Sequence, residues 1–413
     1  MMHLQIPSKL TMNLTADRGV LMHAILMTGL LTIALIVSPQ FVHAEPSQTP
    51  SQWTAATPLL LPTPEALFKS STITVAGRPT HLLSRDSAED ISWDGSADDA
   101  VESVMPTSPG MQPPASLSAD LRGDRFWLVN TRSMSSNTYN MNLNQPNFRI
   151  ERLDRCGNRR PSSLDDYLSS MDPTRPRIVY IHGHRRDAAT AITQGMYIYQ
   201  QIARYRCDDR PFDWVIWSWP SEGQSILMSD VREKAMRTNA QGLYVAWLLR
   251  EHHQHSQPTG LIGFSFGARV VSGALHALAG GSLGNRSIGE PAITGANMDV
   301  GFLAPALDNR WMATNGYHRL ATQNLNRLLL LYNERDFALK FFRLISQDPS
   351  SEALGYTGPR CFALRHDGTP LQIRSLNCAN TVGNHHSEKT YYEQSCCAGR
   401  EMSSLLHSVM VID

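Results

Sequence analysis

The chain has 413 residues, of which 42% are hydrophobic and 18% charged, with 37 basic side chains against 37 acidic ones. That length leaves room for a sizeable core, and for a single α/β domain of about 250–300 residues beside a tail. Balanced charge, with no dense Lys/Arg run beyond short stretches such as His184-Arg185-Arg186, excludes nucleic acid as a partner.

Residues 1–44 read as an export signal. Lys9 and Arg18 precede an apolar run from Val20 to Val37, and Val42-His43-Ala44 offers compact residues for cleavage after Ala44. An uncleaved membrane anchor is the competing reading, because the run is near the length that spans a bilayer. Either reading takes the rest of the chain out of the cytoplasm, to the periplasm, cell envelope or exterior, and leaves envelope association open. In that setting the six cysteines, Cys156, Cys207, Cys361, Cys378, Cys396 and Cys397, are candidates for disulfides. None forms a C-x-x-C pair, and no zinc-site spacing occurs. Cys361, Cys378 and the Cys396-Cys397 pair bracket the segment around residue 386, so bridges there would hold it in place.

Residues 45–122 are rich in Pro, Ser, Thr, Ala and Asp. Such a segment buries too little apolar surface to offset its ordering entropy, and is expected to be a linker or loose arm.

From 123 to 413 strand-like and helix-like segments alternate. RFWLVNTR (125–132), NFRIERLD (147–154), RIVYIHG (177–183), DWVIWSW (213–219), GLIGFS (260–265) and NRLLLLYN (326–333) read as strands. The central ones are apolar on both faces, which belongs to a parallel sheet covered on both sides. Helical spacing runs through 187–205, 231–253 and 268–280. The expected fold is therefore α/β, a doubly wound and mostly parallel sheet, with its functional residues where strands end.

The motif G-x-S-x-G occurs twice, at Gly263-Phe264-Ser265-Phe266-Gly267 and at Gly280-Gly281-Ser282-Leu283-Gly284. Only Ser265 lies between a strand and a helix. A sharp turn there exposes the hydroxyl and aims the helix N-terminus at developing negative charge. Ser282 trails a helix in a loop. An ordinary helix cap is the bland alternative for Ser265.

A serine nucleophile needs a base and an orienting carboxylate, in the chain order Ser, Asp/Glu, His. Asp336 follows the strand RLLLLYN and is the expected acid, with Glu334 and Asp299 as competitors. It could equally cap the helix FALKFF, and one residue can do both. His386 in GNHHSEKTYY is the expected base, beside His385, with His366 further off. The backbone N–H groups of His184 and Phe266 are the expected oxyanion hole. His182 is expected to tie loops together, and Trp217, Trp219 and Pro220 either line a cleft or pack against a lid. This chemistry requires no metal or cofactor.

The segments LVNTR, VYIHGH, VIWSWPSEG, LIGFSFGARVV, NMDVGFLAPALD and LLLLYNERDFALKFF resemble, in that order, the α/β-hydrolase superfamily, and within it a bacterial group of hydrolases catalogued as domain of unknown function 900. The aspartate before an alanine-leucine-basic run and the His-Ser pair before Tyr391-Tyr392 favour Asp336 and His386. Gly-Phe-Ser-Phe-Gly departs from the His-Ser-Met-Gly that many such proteins carry, which alters the pocket walls. The resemblance implies a serine hydrolase for an ester or related acyl bond on a small or lipid-like substrate. A thioesterase or acyltransferase, or a non-catalytic envelope scaffold, is the alternative.

Overall fold

Runs of β-branched and aromatic residues account for the strands at the centre of the molecule. RIVYI forms β4 (Arg177–Ile181), DWVIWS forms β5 (Asp213–Ser218) and TGLIGF forms β6 (Thr259–Phe264), each buried at every position. Burial on both faces contributes about 1.5–3 kcal/mol per large aliphatic side chain, which suits these runs to the middle of a sheet. The computed structural model describes residues 123–207, 209–223, 228–346, 348–393 and 398–410. The export signal (1–44), the arm (45–122), Cys396 and Cys397 lie outside the described residues.

The strands β1 (Arg125–Asn130), β2 (Arg149–Leu153), β3 (Arg159–Pro161), β7 (Met298–Leu303), β8 (Leu325–Tyr332) and β9 (Gln372–Asn377) complete a nine-stranded sheet of order β3-β2-β1-β5-β4-β6-β7-β8-β9. Only the β1–β2 and β2–β3 pairings are antiparallel. The chain steps from β4 back to β5, then crosses to β6 on the other side of β4. This reversal of direction is where a doubly wound sheet opens a crevice at its carboxyl ends.

Helices cover both faces. The Cβ that Ala would add at Gly195 in α1 (Ala188–Ala203) would fall 2.6 Å from Ile216 Cδ1, whereas the next strand residue, Trp217, donates its indole N–H to Gln241 of α2 (Met228–Gln254) at 3.0 Å. Successive strand residues point to opposite faces, so α1 and α2 flank opposite sides of β5. Helix α3 (Phe266–Leu278) packs on α2, and α6 (Ala398–Met410) lies against α1 and β7. The result is a doubly wound, mostly parallel α/β sheet. At the amino ends of the strands, away from the crevice, the wholly buried Asp213 accepts from Arg125, Arg175 and Arg177 at 2.7–3.0 Å. That cluster joins β1, β4 and β5 by charge-assisted hydrogen bonds.

Every strand and long helix expected from the sequence is present. β3, β7, β9 and α6 are additions. β9 reads QIRSLN and is largely exposed at the sheet edge, so it has little apolar pattern to betray it. β7 is fully buried, but Asp299 and Gly301 interrupt its apolar run. Among the described residues no disulfide forms: Cys156, Cys207 and Cys361 are exposed thiols, and Cys378 is buried. The expected bridges to Cys396 and Cys397 lie outside the described residues, and the segment around His386 is held by hydrogen bonds, described below.

Candidate active site

Ser265 ends β6 and starts α3 with φ 51° and ψ −116°, a left-handed conformation that costs a non-glycine residue roughly 1–3 kcal/mol. The flanking glycines make the turn possible. A Cβ at Gly267 would lie 2.0 Å from the Ile181 carbonyl oxygen, and one at Gly263 would lie 2.6 Å from the Ala268 nitrogen. The serine side chain makes no capping hydrogen bond to its own helix, which removes the bland reading. Its backbone is fixed from the next strand, with Ser265 N–H donating to Leu303 O at 2.9 Å and Ser265 O accepting from Ala306 N–H at 3.1 Å.

Asp336, fully buried after β8, caps α4 (Phe337–Lys340) by accepting the Leu339 N–H on Oδ1 at 2.9 Å. Its Oδ2 lies 2.7 Å from His386 Nδ1, and His386 Nε2 lies 2.9 Å from Ser265 Oγ. Three segments far apart in sequence thus meet in one hydrogen-bonded chain. With Nδ1–H donating to the carboxylate, Nε2 is left to accept from the serine hydroxyl.

Two loops are stitched together to make this chain. Phe337 N–H donates to Asn384 O at 3.1 Å, and Asn333 Nδ2 donates to Gly383 O at 2.9 Å. The Phe264 ring stacks on the His386 imidazole with centroids 5.3 Å apart. Helix α5 (Glu388–Glu393) follows directly and plants Glu388 in the core, where Tyr180 OH donates to it at 2.7 Å. Burial raises the Glu388 carboxyl to about 7.

The competing candidates lie elsewhere. Asp299 is paired with Arg327 at 3.1 Å at the opposite end of the sheet, while Glu334, His385, His366 and Ser282 are exposed. Among the described residues no cluster of His, Cys, Asp or Glu is arranged to hold a metal ion.

The β4 end loop closes over the serine: a Cβ at Gly183 would fall 3.2 Å from Ser265 Cβ and 2.8 Å from Phe264 Cδ1. Among the described residues neither the His184 N–H nor the Phe266 N–H, the first of α3, donates to a protein acceptor. The His184 ring lies near the Phe266 ring, 5.8 Å between centroids, and burial pushes its imidazole down to about 4, so it is neutral. His182 is wholly buried and pushed by desolvation to about 3. Trp219 N–H approaches its Nε2 at 3.4 Å, its Nδ1 faces Gly183 O at 2.9 Å, and Trp219 Nε1–H donates to its carbonyl at 2.9 Å. It ties the β4 and β5 loops beneath the site, as the sequence suggests. Trp217 and Trp219 are entirely buried, so they are core rather than cleft walls.

No family model and no curated protein matches the chain. Solved structures similar to it include esterase B from Lactobacillus rhamnosis (13% identity, 70% of this chain and 90% of that one, TM-score 0.30). Acyl-protein thioesterase 2 from Zea mays is another (14% identity, 57% and 94%, TM-score 0.28). So is carboxyl esterase 2 from the mycorrhizal fungus Tuber melanosporum (13% identity, 64% and 82%, TM-score 0.26). The narrower resemblance to domain of unknown function 900 has no matching family model behind it.

Two residues of this region carry no clear signal in sequence. Glu388 reads as a solvated helix residue, and Arg269 is a lone cation inside the apolar run ARVVSGALHAL, which is the one hint that it does something unusual.

Proposed function

We propose that the protein is a serine hydrolase that cleaves an ester or related acyl bond. The observation that carries this reading is the unbroken chain from Ser265 Oγ through His386 to Asp336, at 2.9 and 2.7 Å, rooted on a strained strand-to-helix turn. In this mechanism Ser265 attacks the acyl carbonyl while His386 Nε2 takes its proton. Asp336 keeps the imidazole in the receptive tautomer and stabilises the imidazolium. The negative charge that develops on the carbonyl oxygen is met by the His184 and Phe266 N–H groups, each worth about 3 kcal/mol of barrier. His386 then returns the proton to the leaving group, and water repeats the cycle on the acyl-enzyme.

An active-site-directed fluorophosphonate tests this directly. Selective labelling of Ser265 in the native protein, lost on heat denaturation and in His386→Ala, is the expected result. Absence of labelling would favour the non-catalytic scaffold.

We also propose that residues 1–44 export the chain, so that the enzyme acts in the periplasm, envelope or exterior. The supporting feature is the basic-then-apolar pattern ending at Ala44. A mature protein whose N-terminus is Glu45 is the expected product of the producing cell.

A further inference from the structure

One turn into α3, Arg269 is 8% exposed and makes no hydrogen bond or ion pair with its guanidinium among the described residues. Its Nε is completely buried without a partner. Trp311 stacks on it, with the ring centroid 4.4 Å from the guanidinium carbon. Stacking engages the face of the guanidinium and leaves the in-plane N–H donors unused. Arg269 lines a cavity of about 600 Å³ together with Trp311, Arg232, Arg310, Asp308 and Asp348.

An unpaired buried cation is costly, and burial pulls this arginine down only to about 10, so it stays charged at neutral pH. The cavity's other charges do not neutralise it. Asp308 and Asp348 both accept from Arg310, at 2.8 and 3.0 Å, and Arg232 is anchored to Leu344 O through its Nε at 2.8 Å. The lining therefore carries three arginines against two aspartates that are already engaged.

The position relative to Ser265 is also informative. Arg269 is four residues beyond the serine, in the first turn of the helix that the serine starts. Helical side chains lean toward the N-terminus, so this one leans toward the turn that carries the hydroxyl. The segment bearing Trp311 follows Ala306, which is hydrogen-bonded to the Ser265 carbonyl.

We infer that this cavity receives an oxyanion, a carboxylate or phosphate carried by the substrate, whose oxygens complete the in-plane donors of Arg269 while the ester lies toward Ser265. This assignment rests on the reading of Ser265 as the nucleophile. A guanidinium fork matches two oxygens of such a group, and the stack on Trp311 holds the fork in one orientation.

The kinetic test compares 4-nitrophenyl hemiglutarate with the neutral 4-nitrophenyl valerate. The full-length protein is expected to favour the anionic ester, and Arg269→Met to lower the ratio of kcat/KM values by about 30-fold, the loss of one charge-assisted pair. Arg269→Lys keeps the charge without the fork and is expected to fall between. An unchanged ratio in Arg269→Met overturns the assignment.

A second measurement needs no turnover. Glutarate binding to Ser265→Ala, followed by calorimetry, is expected to weaken at least 10-fold when Arg269→Met is added. If no ester is turned over, this measurement still decides the anion site on its own. Absence of glutarate and phosphate binding overturns it. Competitive inhibition of valerate hydrolysis by glutarate identifies a substrate subsite, whereas non-competitive inhibition overturns that assignment in favour of a separate anion site. Removing an uncompensated charge should also raise the melting temperature of Arg269→Met by about 3 °C. A fall of that size with an unchanged ester ratio would assign Arg269 to packing alone.

Discussion

Asp336 divides its two carboxylate oxygens between two partners: Oδ2 meets His386 Nδ1 at 2.7 Å while Oδ1 accepts the Leu339 N–H at 2.9 Å. The helix cap fixes the carboxylate, and the fixed carboxylate fixes the imidazole. Asp336→Asn retains an oxygen for the cap but cannot stabilise an imidazolium. It is expected to lower kcat by about 10⁴-fold with little change in melting temperature. Asp336→Ala should show the same kinetic loss and an added ~1 kcal/mol of destabilisation from the missing cap. Ester turnover and thermal unfolding, measured together on the two variants, separate these roles.

Ser265 carries both the nucleophile and a strained backbone. Ser265→Ala is expected to reduce turnover by about 10⁴–10⁶-fold in a folded protein, while Ser282→Ala leaves it intact. Ser265→Gly should lose activity equally yet gain ~1 kcal/mol of stability, because glycine adopts the positive φ without penalty. A melting temperature for Ser265→Gly no higher than that of Ser265→Ala would contradict the strain.

The glycines of the turn differ sharply from glycines elsewhere. At Gly267 a methyl group would meet the Ile181 carbonyl oxygen at 2.0 Å, a backbone atom in a central strand that cannot yield. Gly267→Ala should cost about 3 kcal/mol or more, or prevent folding. At Gly383, φ is +69° but nothing lies within 4 Å of an added Cβ. The same change there should cost only ~1 kcal/mol. Denaturant midpoints for the pair provide the comparison.

Stability should depend on pH through two opposed sets of groups. Burial lowers His182 to about 3, His184 and His276 to about 4, and His252 and His318 well below the ordinary value. Neutral in the folded state, they contribute stability that is present above about 6.5 and lost as the pH falls toward their folded values. Glu388 acts in reverse: its carboxyl is raised to about 7, so its contribution is present below about 4.5 and is lost as the pH rises to 7. Five groups against one predict a melting temperature that climbs from pH 4.5 to 6.5, then levels or dips slightly. Glu388→Gln should remove the dip. Its advantage over the parent should grow between pH 5 and 7 and then stay constant.

The central strands and the Ser265 turn were legible because their chemistry is local: an apolar run, two glycines and a following helix are adjacent in sequence. Asp336 and His386 were legible by order along the chain and by the resemblance of their surroundings. β9 was not, because an exposed edge strand has one polar face and little burial to pattern it. Arg269 was visible as a residue but not as an unpaired charge. That property belongs to what fails to surround it, and no window of sequence contains a missing partner. Two of the four cysteines expected to brace the base loop, Cys396 and Cys397, lie outside the described residues, within which backbone and amide hydrogen bonds to Gly383 and Asn384 hold the loop.

Those two hydrogen bonds give the acid and base loops a common fate. A swing of the segment carrying His386 pulls on the turn carrying Asp336, so among the described residues the joint with no such backbone tie is the gap between imidazole and hydroxyl. A breathing motion there would uncouple the nucleophile while the proton acceptor stays correctly primed, ready to resume on the next closure.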